Sequence, residues 1–358
     1  MKLRRIIRIA AAAGALAIWG GCARLAVPEE PDGKNAIGFN AGTLLLQDDA
    51  PTKAGTLKEG KEFVVGDKID VFGRRYGNSR YDEVFNGTTV TKTSATEWEY
   101  SPPKAWYWLS EGDYYDFLGV YPSGKGTSRI DGLENLAIKT PYSLSTDNYD
   151  LMYALYRRSG SDPDRIAAVP LDFHHVLCVV RIVIINDSND SDITIDSYKF
   201  TNMVVSADAK ATMDGIGNPE VTWVNSIRNA DAIRQVTPEA LLKGKLSPGE
   251  HSYTGAFDFF IPTALDATSN GIADDQEHMP QLVITYTPAG KPATQASLLL
   301  KNITRNPMNG DNTPVEVWEP GVRYTYHISI RMDGGVQIFI VTTDWEDIMA
   351  ETPGIMID

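Results

Sequence analysis

The sequence predicts an all-β protein, and three observations carry that prediction. From about residue 35 onward, apolar residues recur with period two or in short solid runs rather than at helical spacing. Turn-forming Gly, Pro, Asn and Asp bound those runs at fairly regular intervals. Helix signals gather at one short stretch only, with Thr237 as cap, Pro238 in the first position, 239–243 as the body and Gly244 as the stop.

The chain begins differently. Lys2, Arg4, Arg5 and Arg8 make a positive start, residues 9–19 are apolar, and Gly20-Gly21-Cys22 follows. This is the layout of a secretory signal with small residues before its cleavage point, and it is too short to read as a membrane span. The Gly-Gly-Cys end resembles the lipobox of bacterial lipoproteins. That resemblance makes 1–21 the signal peptide and Cys22 the site of lipid attachment, where acyl chains such as palmitate anchor the protein at roughly 0.8 kcal/mol per buried methylene. Residues 22–34, with their Pro and Glu, read as a lipidated tether. An acidic tether after the Cys also resembles the surface-export signals of some Gram-negative lipoproteins, which points to a surface-exposed protein in the cell outer membrane.

The strands follow in order. The clearest are 63–65, 68–72, 116–121, 178–185, 281–286 and 324–330, each bounded by turns such as Asn86-Gly87, Asp131-Gly132, 247–249 and 333–335. Many short strands at such spacing suggest sandwiches or barrels. The polar, turn-rich stretch 157–164 precedes a solid apolar run from Leu171, so a division falls near residue 170. It separates an N-terminal β-sandwich, 35–170, from a C-terminal β-sandwich with a C-terminal tail, 171–358. A chain of 358 residues is long enough for two cores.

The formal net charge of -14 argues against nucleic acid, which needs Lys and Arg to displace counterions, and against a peripheral grip on anionic lipid. With only Cys22 and Cys178, no intrachain disulfide framework is expected, and Cys178 reads as a buried apolar residue of its strand. The five His residues show no zinc-ligand spacing, and no nucleophile elbow, phosphate loop or dinucleotide fingerprint is present. The expectation is therefore no enzyme, no cofactor, no metal site and no catalytic residue. Two acidic loops stand out. Residues 266–277 match a calcium loop of the EF-hand kind at four positions but place Thr268 where a ligand is needed, and 186–192 have no defined spacing. A third signal is aromatic: Trp98, Tyr100, Trp106, Trp108, Tyr114, Tyr115 and Phe117 crowd one region. Their alternation reads as a hairpin with one face turned into the core, while Trp98, Trp106 and Trp108 could instead face a ligand such as a glycan.

Taken in order, these pieces resemble the fimbrillin (Mfa-like) family, the type V pilus subunits of bacterial outer membranes. Residues 36–40 look like that family's first strand, and 51–55 fall where relatives carry Thr-Arg-Ala or Thr-Lys-Ala. Residues 65–72, the Trp- and Tyr-Pro-marked segments around 98–108 and 117–122, then 150–154, 171–177 and 318–326 are similar to its later motifs. The resemblance implies two tandem transthyretin-like β-sandwich domains and a structural fimbrial (pilus) subunit that supports adhesion. It implies assembly by strand exchange: an envelope protease cuts between Lys53 and Ala54, the segment 36–53 leaves, and a strand from another subunit fills the groove. The donor would be 336–341 with the tail 342–358 behind it. A stand-alone surface lipoprotein that binds glycan or another ligand is the alternative.

Overall fold

The structure is a computed structural model that describes residues 37–43, 63–77, 80–100, 114–132, 135–159, 167–213, 220–228, 234–236, 245–253, 258–305, 313–331 and 336–344. The expected short helix at 237–244 lies outside them. Their regular elements are all strands apart from two 3₁₀ turns, Gln276–His278 and Leu300–Asn302.

Seven strands form the first sheet, in the order Phe39–Thr43, Val169–His175, Met152–Ser159, Tyr114–Tyr121, Lys68–Gly77, Arg80–Lys92, Trp98–Tyr100. The first pair is parallel and the others are antiparallel. The two ends of this sheet return to one another, strand 39–43 lying against strand 98–100. The sheet is thus rolled around an interior of its own, filled by Ile37, Phe39, Phe63, Val71, Phe85, Trp98, Tyr115, Phe117, Tyr121, Leu171 and Phe173. Alternation within each strand produces this division. In Tyr114–Tyr121, Tyr115, Phe117 and Tyr121 point into the roll, while Leu118 and Val120 point outward into a second core.

That second core starts between the outer face of the rolled sheet and a four-stranded sheet, ordered Glu220–Arg228, Val204–Met213, Leu136–Ser143, Ser128–Arg129. It continues between two five-stranded sheets. One is built on Cys178–Asn186, Val322–Ile330 and Val336–Asp344, the other on Ile193–Thr201, Gln281–Pro288 and Thr294–Leu299. Ile182, Ile184, Tyr326 and Ile328 on one side meet Ile195, Tyr198, Phe200 and Ile284 on the other. Trp318 is fully buried here, with Phe260 at 5.0 Å and its indole N–H donated to the Tyr326 hydroxyl at 3.0 Å.

Only Val176 and Leu177 separate strand 169–175 from strand 178–186. Val176 N–H donates to Leu151 at 3.1 Å, and the Leu177 carbonyl accepts from Gly321 at 2.8 Å, so both residues of the crossing are tied down. Residues 63–65, expected as strand, are not one. A turn occupies 64–67 because Gly66 takes φ 99° and the Asp67 carboxylate accepts the Val64 N–H at 2.7 Å, which leaves Val64 and Val65 exposed.

Two glycines make room for the inner aromatic layer. A Cβ on Gly73 would lie 3.1 Å from both Phe85 and Phe117, and one on Gly119 would lie 2.7 Å from Phe173 Cζ. The Phe173 ring is itself packed edge-on against Phe63 at 5.3 Å and cannot swing aside freely. Gly119→Ala is therefore expected to destabilise the protein by about 1–3 kcal/mol through overpacking, read as a lower urea midpoint with an unchanged slope.

Candidate functional site: the strand that closes the rolled sheet

Residues 37–42 alternate in and out of the roll. Ile37, Phe39 and Ala41 are buried, while Asn40 and Gly42 are exposed. Strand 39–43 runs parallel to 169–175 in the register Phe39↔Val169 to Thr43↔Phe173, and the Val169 N–H donates to the Gly38 carbonyl at 2.8 Å. Among the described residues its ladder is confined to that one strand. On its other side the contact is made by side chains. Phe39 lies 5.3 Å from Phe85, 5.9 Å from Phe117 and 6.3 Å from Tyr100, all edge-to-face, so a single ring bridges to three other strands.

The strand that receives it is tied at both ends. At its C-terminal end it pairs with 152–159 only through Met152↔His175 and Tyr153↔His174. There the buried His175 Nδ1 sits 3.0 Å from Asp150 Oδ1, while His174 on the opposite face is exposed. Just before its N-terminal end, the Arg158 guanidinium donates to the carbonyls of Ala167 at 2.7 Å and Ala168 at 3.4 Å, in place of the ladder bonds that have run out.

On the outer face of the same sheet, Asp116 is fully buried between two guanidinium groups. Arg74 Nε donates to Oδ2 at 2.8 Å and Arg157 Nε to Oδ1 at 2.7 Å. The three are cross-strand neighbours, Arg74↔Asp116 and Asp116↔Arg157, so the register itself brings them together. Arg74 also donates to the Met213 carbonyl at 3.2 Å. The sequence reading missed this trio. The available signal was a charged residue in phase with the apolar alternation of Phe72 and Leu118.

The predicted site residues fall as follows. Cys22, Lys53, Ala54, Trp106 and Trp108 lie outside the described residues. Trp98 is in the core, edge-on to Phe63 at 5.3 Å, with Lys92 Nζ 5.7 Å from its ring centre. Its strand pairs with 80–92, whereas 114–121 pairs with 68–77 and 152–159; the part of the expected aromatic hairpin that carries Trp106 and Trp108 lies outside the described residues. Cys178 is buried, and burial pushes its thiol well up from the usual range. In the 266–277 loop the Asp275 carboxylate is engaged by Asn270 Nδ2 at 2.6 Å and His278 Nδ1 at 2.8 Å, which hold its pKa below the usual carboxylate range. Among the described residues no three His, Cys, Asp or Glu side chains gather as a metal centre would need. What the arrangement offers is mechanical: a short closing strand over a hydrophobic interior.

A fimbrial protein from Bacteroides vulgatus has a similar structure at 14% identity and a TM-score of 0.49, covering 87% of this chain and 99% of its own. A candidate cell-adhesion protein from Bacteroides uniformis follows at 16% identity and 0.45, over 87% and 99% of the two chains. Another from Parabacteroides distasonis stands at 12% and 0.46, over 88% and 98%. No curated protein matches the sequence. The fimbrillin-like family matches residues 52–345, most of the chain, and the protein belongs to that family.

Proposed function

We propose that this protein is a non-enzymatic structural subunit of a cell-surface fimbria that supports adhesion, made as a lipoprotein and assembled by strand exchange. Family membership supports the fimbrial and cell-surface part of this reading. The observation that carries the exchange is strand 39–43: it closes a hydrophobic interior, yet among the described residues its main-chain ladder is confined to one neighbour at a sheet end. Removing it would expose the pockets of Ile37, Phe39 and Ala41 together with the unpaired edge of 169–175. That is what β-augmentation by an incoming strand requires.

In this reading Cys22 carries the lipid that holds the precursor at the outer membrane. An envelope protease cuts between Lys53 and Ala54, and the partner is another fimbrial subunit. The proposed donor region, 336–341 and the tail behind it, begins in a strand that pairs with 322–330 in its own sheet.

Two measurements test this. The first is the N-terminal sequence and mass of the protein recovered from the cell surface. A start at Ala54 with multimers that survive mild gels is expected; a lipidated Cys22 with the first strand intact and no multimers would sink the exchange reading. The second concerns the closing strand in the precursor. Phe39→Ala is expected to cost about 3 kcal/mol in urea unfolding, in line with other buried Phe truncations, whereas the outward Asn40→Ala stays within about 0.5 kcal/mol. Equal effects from the two would mean that Phe39 does not hold the strand in place.

A further inference from the structure

The sheet built on Ile193–Thr201, Gln281–Pro288 and Thr294–Leu299 turns one face into the larger core, where Phe200, Leu282 and Ile284 lie. Alternation turns Lys199, Thr201, Gln281 and Val283 the other way. With Gln295 and Ser297 of the third strand they line a cleft of about 300 Å³ on the outer face. The register sets its floor. Val283 is the ladder partner of both Lys199 and Ser297, and the Thr201↔Gln281 pair forms the next row on the same face. Val283 is only 7% exposed, yet it belongs to neither hydrophobic core.

The 3₁₀ turn Gln276–His278 closes one end of the cleft, and two amides hold that turn in place. Asn202, in the left-handed region at φ 59°, donates from Nδ2 to the carbonyls of Glu277 and Met279, each at 2.9 Å. Gln281 Nε2 donates to the carbonyl of Gln276 at 2.9 Å and to that of Glu277 at 3.3 Å. Glu277 thereby joins the lining. Among the described residues, the side chains of Lys199, Thr201, Glu277, Gln295 and Ser297 have no hydrogen-bond or ion-pair partner. Lys199 and Glu277 share the cleft without pairing with one another, and their charges cancel. Five polar side chains therefore meet in one concave place with their hydrogen-bonding capacity unused within the protein.

We propose that this cleft is a subsite for an uncharged sugar residue of a glycan. A sugar hydroxyl both donates and accepts, and the lining offers both. Lys199 and the Gln295 amide donate, the Glu277 carboxylate accepts, and the hydroxyls of Thr201 and Ser297 do either. Val283 gives the C–H face of the ring a small apolar floor. The cancelled charge disfavours a polyanion or a polycation. The volume stands at the lower end of the roughly 300–1,000 Å³ usual for small-ligand sites, which suits a short stretch of glycan. The amide bonds fix the end wall before the ligand arrives, so little order is lost on binding. The subsite lies on a different sheet from the closing strand and does not depend on strand exchange.

The test uses the protein purified from the envelope and titration calorimetry with mannotriose, globotriose and triacetylchitotriose as neutral probes and tri-galacturonate as the charged comparator. At least one neutral probe is expected to bind, about tenfold or more tightly than tri-galacturonate. Ser297→Tyr places a ring in the cleft from an exposed position on the last strand of the sheet, and it should abolish that binding. Thr201→Val keeps the shape of the side chain and removes only the hydroxyl. It should weaken binding by about threefold or more, as the loss of a hydrogen bond does, at an unchanged melting temperature. No binding of any neutral probe, or wild-type affinity in Ser297→Tyr, would overturn the proposal. Should Ser297→Tyr lower the melting temperature, wild-type affinity in Thr201→Val overturns it instead. Equal or tighter binding of tri-galacturonate would overturn the assignment to an uncharged sugar.

Discussion

Phe39 is the contact on which closure of the rolled sheet depends. The first and last strands of a seven-stranded sheet are brought together with no ladder between them among the described residues. A ring that touches Phe85, Phe117 and Tyr100 does that work from inside. The geometry is possible because Gly73 and Gly119 lower the floor of the interior, so that rings from several strands meet edge-to-face. Side-chain burial, more than hydrogen bonding, therefore holds strand 39–43. Burial is non-directional, and any extended segment with apolar residues at alternate positions could satisfy the same pockets.

The other face of the sheet obeys a different constraint. Leu118 and Val120 belong to a core that continues into the two facing five-stranded sheets, and the two-residue crossing at Val176-Leu177 fixes where one sheet hands over to the next. Asp116 sits at the end of that core with two guanidinium partners. A buried carboxylate without them would be costly, and either guanidinium left alone would be nearly so. The trio marks where the apolar packing stops. It thus explains why the outer face changes character along the length of a single strand.

Much of this was legible in the sequence. The alternation in 68–72, 116–121, 178–185 and 324–330 located real strands. The partners were harder to read, because pairing is decided by contacts between distant segments. Strand 39–43 finds 169–175 across more than a hundred residues, and 136–143 joins 204–213 in a sheet built from both halves of the chain. Local pattern failed where a single residue overrode it. Val64-Val65 looks like strand until Gly66 and Asp67 close a turn. The Arg–Asp–Arg trio left only its in-phase charges as a signal, because its three members are neighbours only once the register is known.

The two ends of the described chain make an instructive contrast. Among the described residues, strand 39–43 has a ladder of five residue pairs on one side and is otherwise held by side chains. Strand 336–344 has nine pairs with 322–330, and on its other side Ile340 donates its N–H to the Thr304 carbonyl at 3.0 Å. Ile340 is also fully buried in the larger core. Opening the first strand disturbs one sheet end and a few pockets, whereas withdrawing the last breaks a long ladder and the core behind it. The cost of exchange is therefore unequal. In the proposed assembly, the segment that leaves is the weakly paired one. A donor that begins at 336 keeps its own sheet intact only if the residues that travel are those beyond Asp344.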